Sequence, residues 1–318
     1  MAEHKPQNES RYLNLFSDRA FLRVFGTERD KDITLALLNS ILEEHEQILD
    51  FQFAQTRHIT DNPDDKGVAL DLHGLTSDGR RIVIELQKRR QTHFRERTLY
   101  YATWPLQAQG KRGRWDYGIQ AVYVISLLDF VVEPSSGDTR VLSRKMILDT
   151  ETLRPWTDKL VFICVELPRF QKKLSECATL QDKWFFVLRN LHHLLEKPEE
   201  LREKIFAHLF DVSDKRKFES RALEEFTQSE QEYTNMKNAL DYAIQEGRAY
   251  GYAEGHAEGH AEGHAKGAEL DKIEVIAGML AKGCDWTFIQ DITHLDQAGY
   301  EALRERHAKG SPREKGRG

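Results

Sequence analysis

Two carboxylates and an amide in this 318-residue chain have the spacing of a metal site. Asp71 lies in one run of alternating residues and Glu85 and Gln87 lie in the next, with Ser77-Asp78-Gly79 between them as a hairpin turn. Alternate residues of a strand share a face, so Glu85 and Gln87 stand side by side while Ile82, Ile84 and Leu86 point the other way. A three-residue loop makes Thr76 face Arg80, and counting outward sets Asp71 opposite Glu85 and Ala69 opposite Gln87. Facing carboxylates repel and call for a compensating cation. Hard oxygen donors suit Mg²⁺, with waters and a substrate phosphate completing its shell. The plain alternative is a solvated strand face on which each acid pairs with a nearby arginine, and spacing alone leaves both readings open.

The placement of charge favours the metal reading. The chain carries a net charge of -6, yet Arg80 to Arg114 holds ten Lys or Arg residues against Glu85 and Glu96, a local charge of about +8. Lys88, Arg89, Arg90, Arg95 and Arg97 begin one residue after the strand. Cations edging an acidic pocket can hold an anionic backbone while a metal activates water, which is phosphodiester chemistry.

The elements that must position these residues follow from periodicity. Phe16, Ala20, Phe21, Val24 and Phe25 have helical spacing, and Ile33 to Leu42 repeats it after the break at Gly26 to Lys31. Strands are expected over Ile48 to Arg57, Gly67 to Gly74 and Arg80 to Gln87. A helix follows over Gln91 to Gln109, kinked or stopped early by Pro105, and Tyr100 and Tyr101 ride on it. One of that pair is expected to reach a phosphate or metal-bound water and the other to pack. Ile119 to Leu128, Val141 to Leu148 and Leu160 to Leu167 read as further strands. The order is that of an α/β fold with helices packed on a sheet.

These segments resemble the PD-(D/E)XK nuclease family transposases, also called recombination-promoting nucleases (the Rpn family). The resemblance rests on Leu70-Asp71-Leu72, Ile84-Glu85-Leu86-Gln87, Arg97-Thr98-Leu99-Tyr100-Tyr101 and the opening Asp18 to Gly26. The four-residue repeats and the stretch from Ala281 to Thr293 are similar to the family's carboxyl-terminal regions. The resemblance implies a restriction-endonuclease-like core of order αβββαβ, with a helical C-terminal extension. It also implies Mg²⁺-dependent DNA cleavage associated with recombination, mobile elements or phage defence. Asp71 and Glu85 match the two metal-binding acids, Gln87 the position where the wider superfamily has lysine, and Asp18 an acidic helix position. A Glu-x-Gln pair is typical of the subfamily, but a neutral amide orients water by hydrogen bonds without adding charge. The competing readings are a catalytically weak DNA-binding protein of the same fold and a helical interaction or scaffold protein.

After Pro168, helices are expected over Leu180 to Leu195, Glu199 to Phe210 and Arg221 to Glu246. Glycine then recurs every fourth residue from Gly247 to Gly267, and short helices follow over Ile273 to Leu280, Asp285 to Ile292 and Asp296 to His307. The chain divides on this reading into a nuclease core (1–168), a helical extension (169–246), a repeat linker (247–267) and a small helical module with a basic tail (268–318). His256, His260 and His264 would line one side of a helix, where successive pairs could chelate a transition metal. A glycine in every unit favours a solvated helix or linker instead, with self-association through the Gly and Ala stripes as the compensation.

Composition excludes several classes. Hydrophobic residues make up 40% of the chain, enough for a real core and too many for a disordered protein. The longest apolar runs fall far short of the roughly 20 residues a spanning helix needs. The polar first ten residues lack the apolar stretch of a secretory signal, so a cytoplasmic location is expected. Cys164, Cys177 and Cys284 have neither disulfide nor zinc-ligand spacing.

Overall fold

The computed structural model describes residues 10–54 and 72–310. Asp71 and the expected strand segments 55–57 and 67–71 lie outside the described residues, as does the tail over 311–318. Six strands form one mixed sheet: β1 (Phe51–Phe53), β2 (Leu72–Thr76), β3 (Arg81–Gln87), β4 (Val122–Leu128), β5 (Leu142–Met146) and β6 (Leu160–Glu166), in the order β1-β2-β3-β4-β6-β5. β1–β2, β2–β3 and β5–β6 are antiparallel, whereas β3–β4 and β4–β6 are parallel. Helices α1 (Asp18–Phe25) and α2 (Lys31–Ile41) precede the sheet, and α3 (Phe94–Gln107) links β3 to β4. The fold is mixed α/β with a long C-terminal helical region, consistent with the PD-(D/E)XK core expected above.

Apolar residues on both faces of the central strands explain the layering. All seven residues of β4 are buried, as a parallel strand covered on both sides requires. On one face Ile84, Ile125 and Ile163 meet Phe21 and Phe25 of α1, Leu37 of α2, and Trp184 and Phe206 of helices α4 (Leu180–Asn190) and α5 (Lys204–Ser213). Trp184 is fully buried between Phe25 and Phe206, with ring centroids 6.4 and 5.1 Å away. On the other face α3 lays Ala102 against Val83, Val122 and Val124.

Several expected boundaries move for local reasons. The first strand starts at Phe51, after the expected Ile48, because the Asn39 side chain takes both backbone groups of Ile48, holding it off the sheet. α3 starts at Phe94 because His93 is left-handed at φ 61°, a conformation that cannot continue a helix. It runs past Pro105, whose ring costs least near a helix end. α4 opens on a capping box between Thr179 and Asp182 and stops at Asn190, short of Leu195. α5 covers Lys204–Ser213 where Glu199 to Phe210 was expected.

The larger departure is α6, one helix over Ser220–Ala281 that includes the glycine repeat and the segment expected as a separate helix over Ile273 to Leu280. Glycine weakens a helix by about 1 kcal/mol relative to alanine but keeps its N–H and its place in the ladder, unlike proline. The chain forms two compact units, Met1–Asn238 and Ala239–Gly318. In the second, Ile276 of α6 packs with Ile289 of α7 (Trp286–Thr293) and Tyr300 of α8 (Gln297–Gly310). No described helix is long and apolar enough to cross a membrane.

Two charged clusters tie the first unit together. Glu46, nearly buried, accepts hydrogen bonds from Tyr123 Oη at 2.7 Å and from Arg144 Nη1 at 2.7 Å, joining the segment before β1 to β4 and β5. Burial alone would raise its pKa, but the Arg144 and Tyr123 bonds outweigh it and hold the carboxyl below its usual range. Glu46→Ala is expected to cost about 2 kcal/mol in urea unfolding, because it removes the closer carboxylate of Arg144 and the acceptor of Tyr123 and leaves Arg144 only Glu43 at 3.8 Å. The Glu46 contribution is present above the ordinary carboxylate pKa and is lost as pH falls through the depressed one.

His208 of α5 bridges Asp32 at 2.8 Å and Asp30 at 3.2 Å, clamping α5 to the start of α2. Burial lowers its pKa, yet the two carboxylates prevail and raise it above the usual histidine value. Its contribution is complete below that value and is lost as pH rises through the raised one. His208→Gln should therefore lower the unfolding midpoint on the acidic side of the usual histidine range and converge with the parent as pH rises through the raised pKa.

Candidate active site at the end of strand β3

The hairpin that carries the site is built from its turn outward. Gly79 occupies the left-handed region at φ 88°, which glycine adopts without steric cost. Its N–H bonds to Thr76 O at 3.0 Å, and Thr76 N–H bonds to Arg80 O at 3.0 Å. Arg80 Nε donates to Asp78 at 2.8 Å, and this guanidinium holds the Asp78 carboxyl down at about 2. The resulting register pairs Leu72 with Ile84, His73 with Val83, Gly74 with Ile82 and Leu75 with Arg81. These four pairs follow the count from Thr76 opposite Arg80 on which the Asp71–Glu85 expectation was based. Gly74 is demanded by β1, since a Cβ there would lie 2.4 Å from Gln52 O and from the Phe51 ring.

Period two then sorts β3. Ile82, Ile84 and Leu86 enter the main core, and Glu85 and Gln87 face the α3 side. Glu85 is 2% exposed and Gln87 9%. Gln87 Nε2 donates to Glu85 Oε2 at 3.4 Å. Across the parallel ladder Glu85 is level with Ser126 of β4, itself level with Cys164 of β6. Gln87 thus presents one amide donor toward the acid while its carbonyl oxygen remains a hard acceptor.

The cations divide into engaged and open groups. Lys88 Nζ lies 2.7 Å from Asp18 Oδ2, so the first residue of α1 is drawn to the end of β3, the two sequence candidates meeting as an ion pair. Arg95 pairs with Glu133 at 2.7 Å. Arg97 bonds to Tyr101 Oη within α3 and to Gln91 ahead of it, with its Cζ 5.1 Å from the Tyr101 ring. Tyr101 therefore packs, and Tyr100, 56% exposed, is the tyrosine that faces outward. Arg89 and Arg90 are exposed and make no ion pair among the described residues.

Two groups beside the site escaped the sequence reading. His73 shares the α3 face with Glu85, is 6% exposed and meets Trp104 edge-on at 5.1 Å. Burial, with Arg81 nearby, holds it below the usual histidine pKa, and neither ring nitrogen has a hydrogen-bond partner among the described residues. Counting two residues on from Asp71 would have found it. Asp129, directly after β4, donates its backbone N–H to Gln87 O at 2.9 Å and pairs its carboxylate with Lys237 of α6 at 2.9 Å. It lines a cavity of about 730 Å³ with Asn14, His192, Tyr233 and Lys237, where burial pushes His192 down to about 4. No local sequence signal joins residues so far apart. Among the described residues no three His, Cys, Asp or Glu side chains form a metal cluster.

A six-stranded mixed sheet with an acid–amide pair on β3, flanked by α1 and α3, defines a protein of the PD-(D/E)XK nuclease type. The model of the PD-(D/E)XK nuclease family transposases matches residues 15–243, most of the chain, and the chain belongs to that family. No curated protein and no solved structure matches it significantly.

The imidazole of His73, without a hydrogen-bond partner among the described residues, gives a stability test. His73→Leu removes two desolvated polar atoms and one edge-on ring contact, effects of opposite sign, so unfolding free energy should stay within about 1 kcal/mol of the parent. A loss above about 2 kcal/mol would mean that the edge-on contact with Trp104 outweighs the desolvation of the ring nitrogens.

Proposed function

We propose that the chain is a Mg²⁺-dependent DNA endonuclease in which Asp71 and Glu85 hold the metal and Gln87 orients the attacking water. The observation that carries this reading is a carboxylate buried to 2% exposure and set beside a carboxamide at the end of β3, in a member of a nuclease family. Such nucleases typically use divalent metals. The donor set fits one: Glu85 supplies a hard oxygen, and the count along the sequence sets the Asp71 carboxylate opposite it as a second. A divalent ion there supplies Lewis acidity toward the phosphate and a lowered pKa for water.

The residues of the chain then divide the work. Gln87 positions Glu85 through its N–H and accepts a proton-bearing water through its carbonyl, work that the superfamily lysine does with charge. Arg89 and Arg90 engage the DNA backbone first, because Lys88, Arg95 and Arg97 must exchange their present partners before they can contact phosphate. Asp18 sets the resting position of Lys88. Tyr100 has the exposure to reach the phosphate. The unit Ala239–Gly318 serves assembly of the chain into oligomers and no part of the chemistry. A cytoplasmic site of action, in recombination or defence against mobile elements, fits this activity.

One observation favours a second reading, a DNA-binding protein with weak cleavage: a neutral amide stands at the lysine position. Supercoiled plasmid separates the two. Nicking that requires Mg²⁺ supports the nuclease, whereas retarded but intact DNA supports the binder. Glu85→Gln should abolish nicking while leaving metal-free DNA binding unchanged or tighter, since one negative charge leaves a pocket that receives an anion. Arg89→Ala with Arg90→Ala should weaken binding and flatten its salt dependence, with the logarithmic slope reduced by about 2. Mg²⁺-dependent nicking by Glu85→Gln, free of contaminating nuclease, would remove Glu85 from this role.

A further inference from the structure

The helix α6 places His256, His260 and His264 at successive i,i+4 positions inside the unit Ala239–Gly318. All three are exposed, and none forms an ion pair or hydrogen bond among the described residues. The neighbouring acid Glu262 is occupied by Lys266 at 2.7 Å. The glycine before each histidine leaves open space, with nothing within 4 Å of where a Cβ would stand at Gly255, Gly259 or Gly263. The rings can therefore approach one another without obstruction. The centroids of His256 and His260 are 6.1 Å apart and nearly parallel, and those of His260 and His264 are 4.5 Å apart.

These distances have a chemical meaning. Two imidazoles on one ion, with metal–nitrogen bonds of about 2.0–2.1 Å, hold their centroids about 5 Å apart at tetrahedral or square angles. The two observed separations bracket that value. We propose that the paired histidines of α6 form a bidentate site for a borderline transition-metal ion, Zn²⁺, Ni²⁺ or Cu²⁺, separate from the hard-metal chemistry proposed at Glu85. Imidazole selects such ions over Mg²⁺. His256 and His264 are eight residues apart, about 12 Å along the axis, and cannot share an ion. Each chelate therefore needs His260. Exchangeable positions on the ion are left to water or to the same pair on a second copy of the chain.

The site also has a physical use for the fold. The stretch from Gly247 to Gly267 contains six glycines, each weakening the helix by about 1 kcal/mol relative to alanine. An ion held by residues one turn apart binds the helical form and not the unfolded one, so it stabilises this stretch by mass action.

Calorimetric titration of the full chain with Zn²⁺, in saturating Mg²⁺ to occupy hard-metal sites, tests the proposal. His260→Gln should weaken the binding by on the order of tenfold or more, because the second imidazole binds as an intramolecular step. His256→Gln and His264→Gln each leave one pair and should retain binding, as should His294→Gln, an isolated exposed histidine. Hydrogen exchange over residues 247–267 should slow on addition of Zn²⁺ in the parent and not in His260→Gln. A stoichiometry of two chains per ion would still support the site, with pairs from two copies on one metal. Unchanged Zn²⁺ affinity and unchanged protection in His260→Gln would overturn it.

Discussion

The register of the β2–β3 hairpin is the constraint on which the rest depends. Because side chains alternate along a strand, a slip of one residue would carry Glu85 and Gln87 into the main core and expel Ile82, Ile84 and Leu86. The turn resists that slip through the left-handed Gly79, the Asp78–Arg80 pair and the backbone bonds between Thr76 and Arg80. A second brake comes from β1, where Phe51 packs so closely over Gly74 that no other residue fits opposite it. Local turn chemistry and a long-range contact therefore enforce the same pairing.

With the register held, the sheet creates an uneven environment for charge. Glu85 is withdrawn from water under α3, and a carboxylate in such surroundings interacts more strongly with any cation or dipole than one on the surface. The basic segment that follows is far less available than its composition indicates. Arg80 is spent on the turn, Lys88 on Asp18, Arg95 on Glu133 and Arg97 on its own helix. Lys88 ties α1 to the end of β3 and Arg95 ties α3 to the segment after β4, so part of the segment's positive charge builds the frame of the fold instead of a substrate surface.

The helical half of the chain serves two ends. Its upstream part is continuous with the core: α4 and α5 fill the main core, and Tyr233 and Lys237 of α6 meet Asp129 beside the strand end. The downstream part has a small core of its own around Ile276, Ile289 and Tyr300. Between them in the chain the glycine repeat remains helical while offering little side chain to pack.

The order of two helices, three strands, a helix and a strand, the hairpin turn, the faces of β3 and the burial of β4 were legible in the residues themselves, because each depends on a period of two or 3.6 or on turn chemistry a few residues long. The candidate acid and amide of β3 were legible for the same reason. What the residues alone could not reveal depends on partners far away in the chain. The pairing of Lys88 with Asp18, the choice of Tyr101 to pack and Tyr100 to face outward, and the enclosure of His73 by Trp104 need three-dimensional neighbours. The late start of β1 answers to the Asn39 side chain, and the unbroken α6 to a helical ladder that glycine weakens without removing a bond. Periodicity is a local property and sets which way a side chain points; what it meets there is a property of the whole fold.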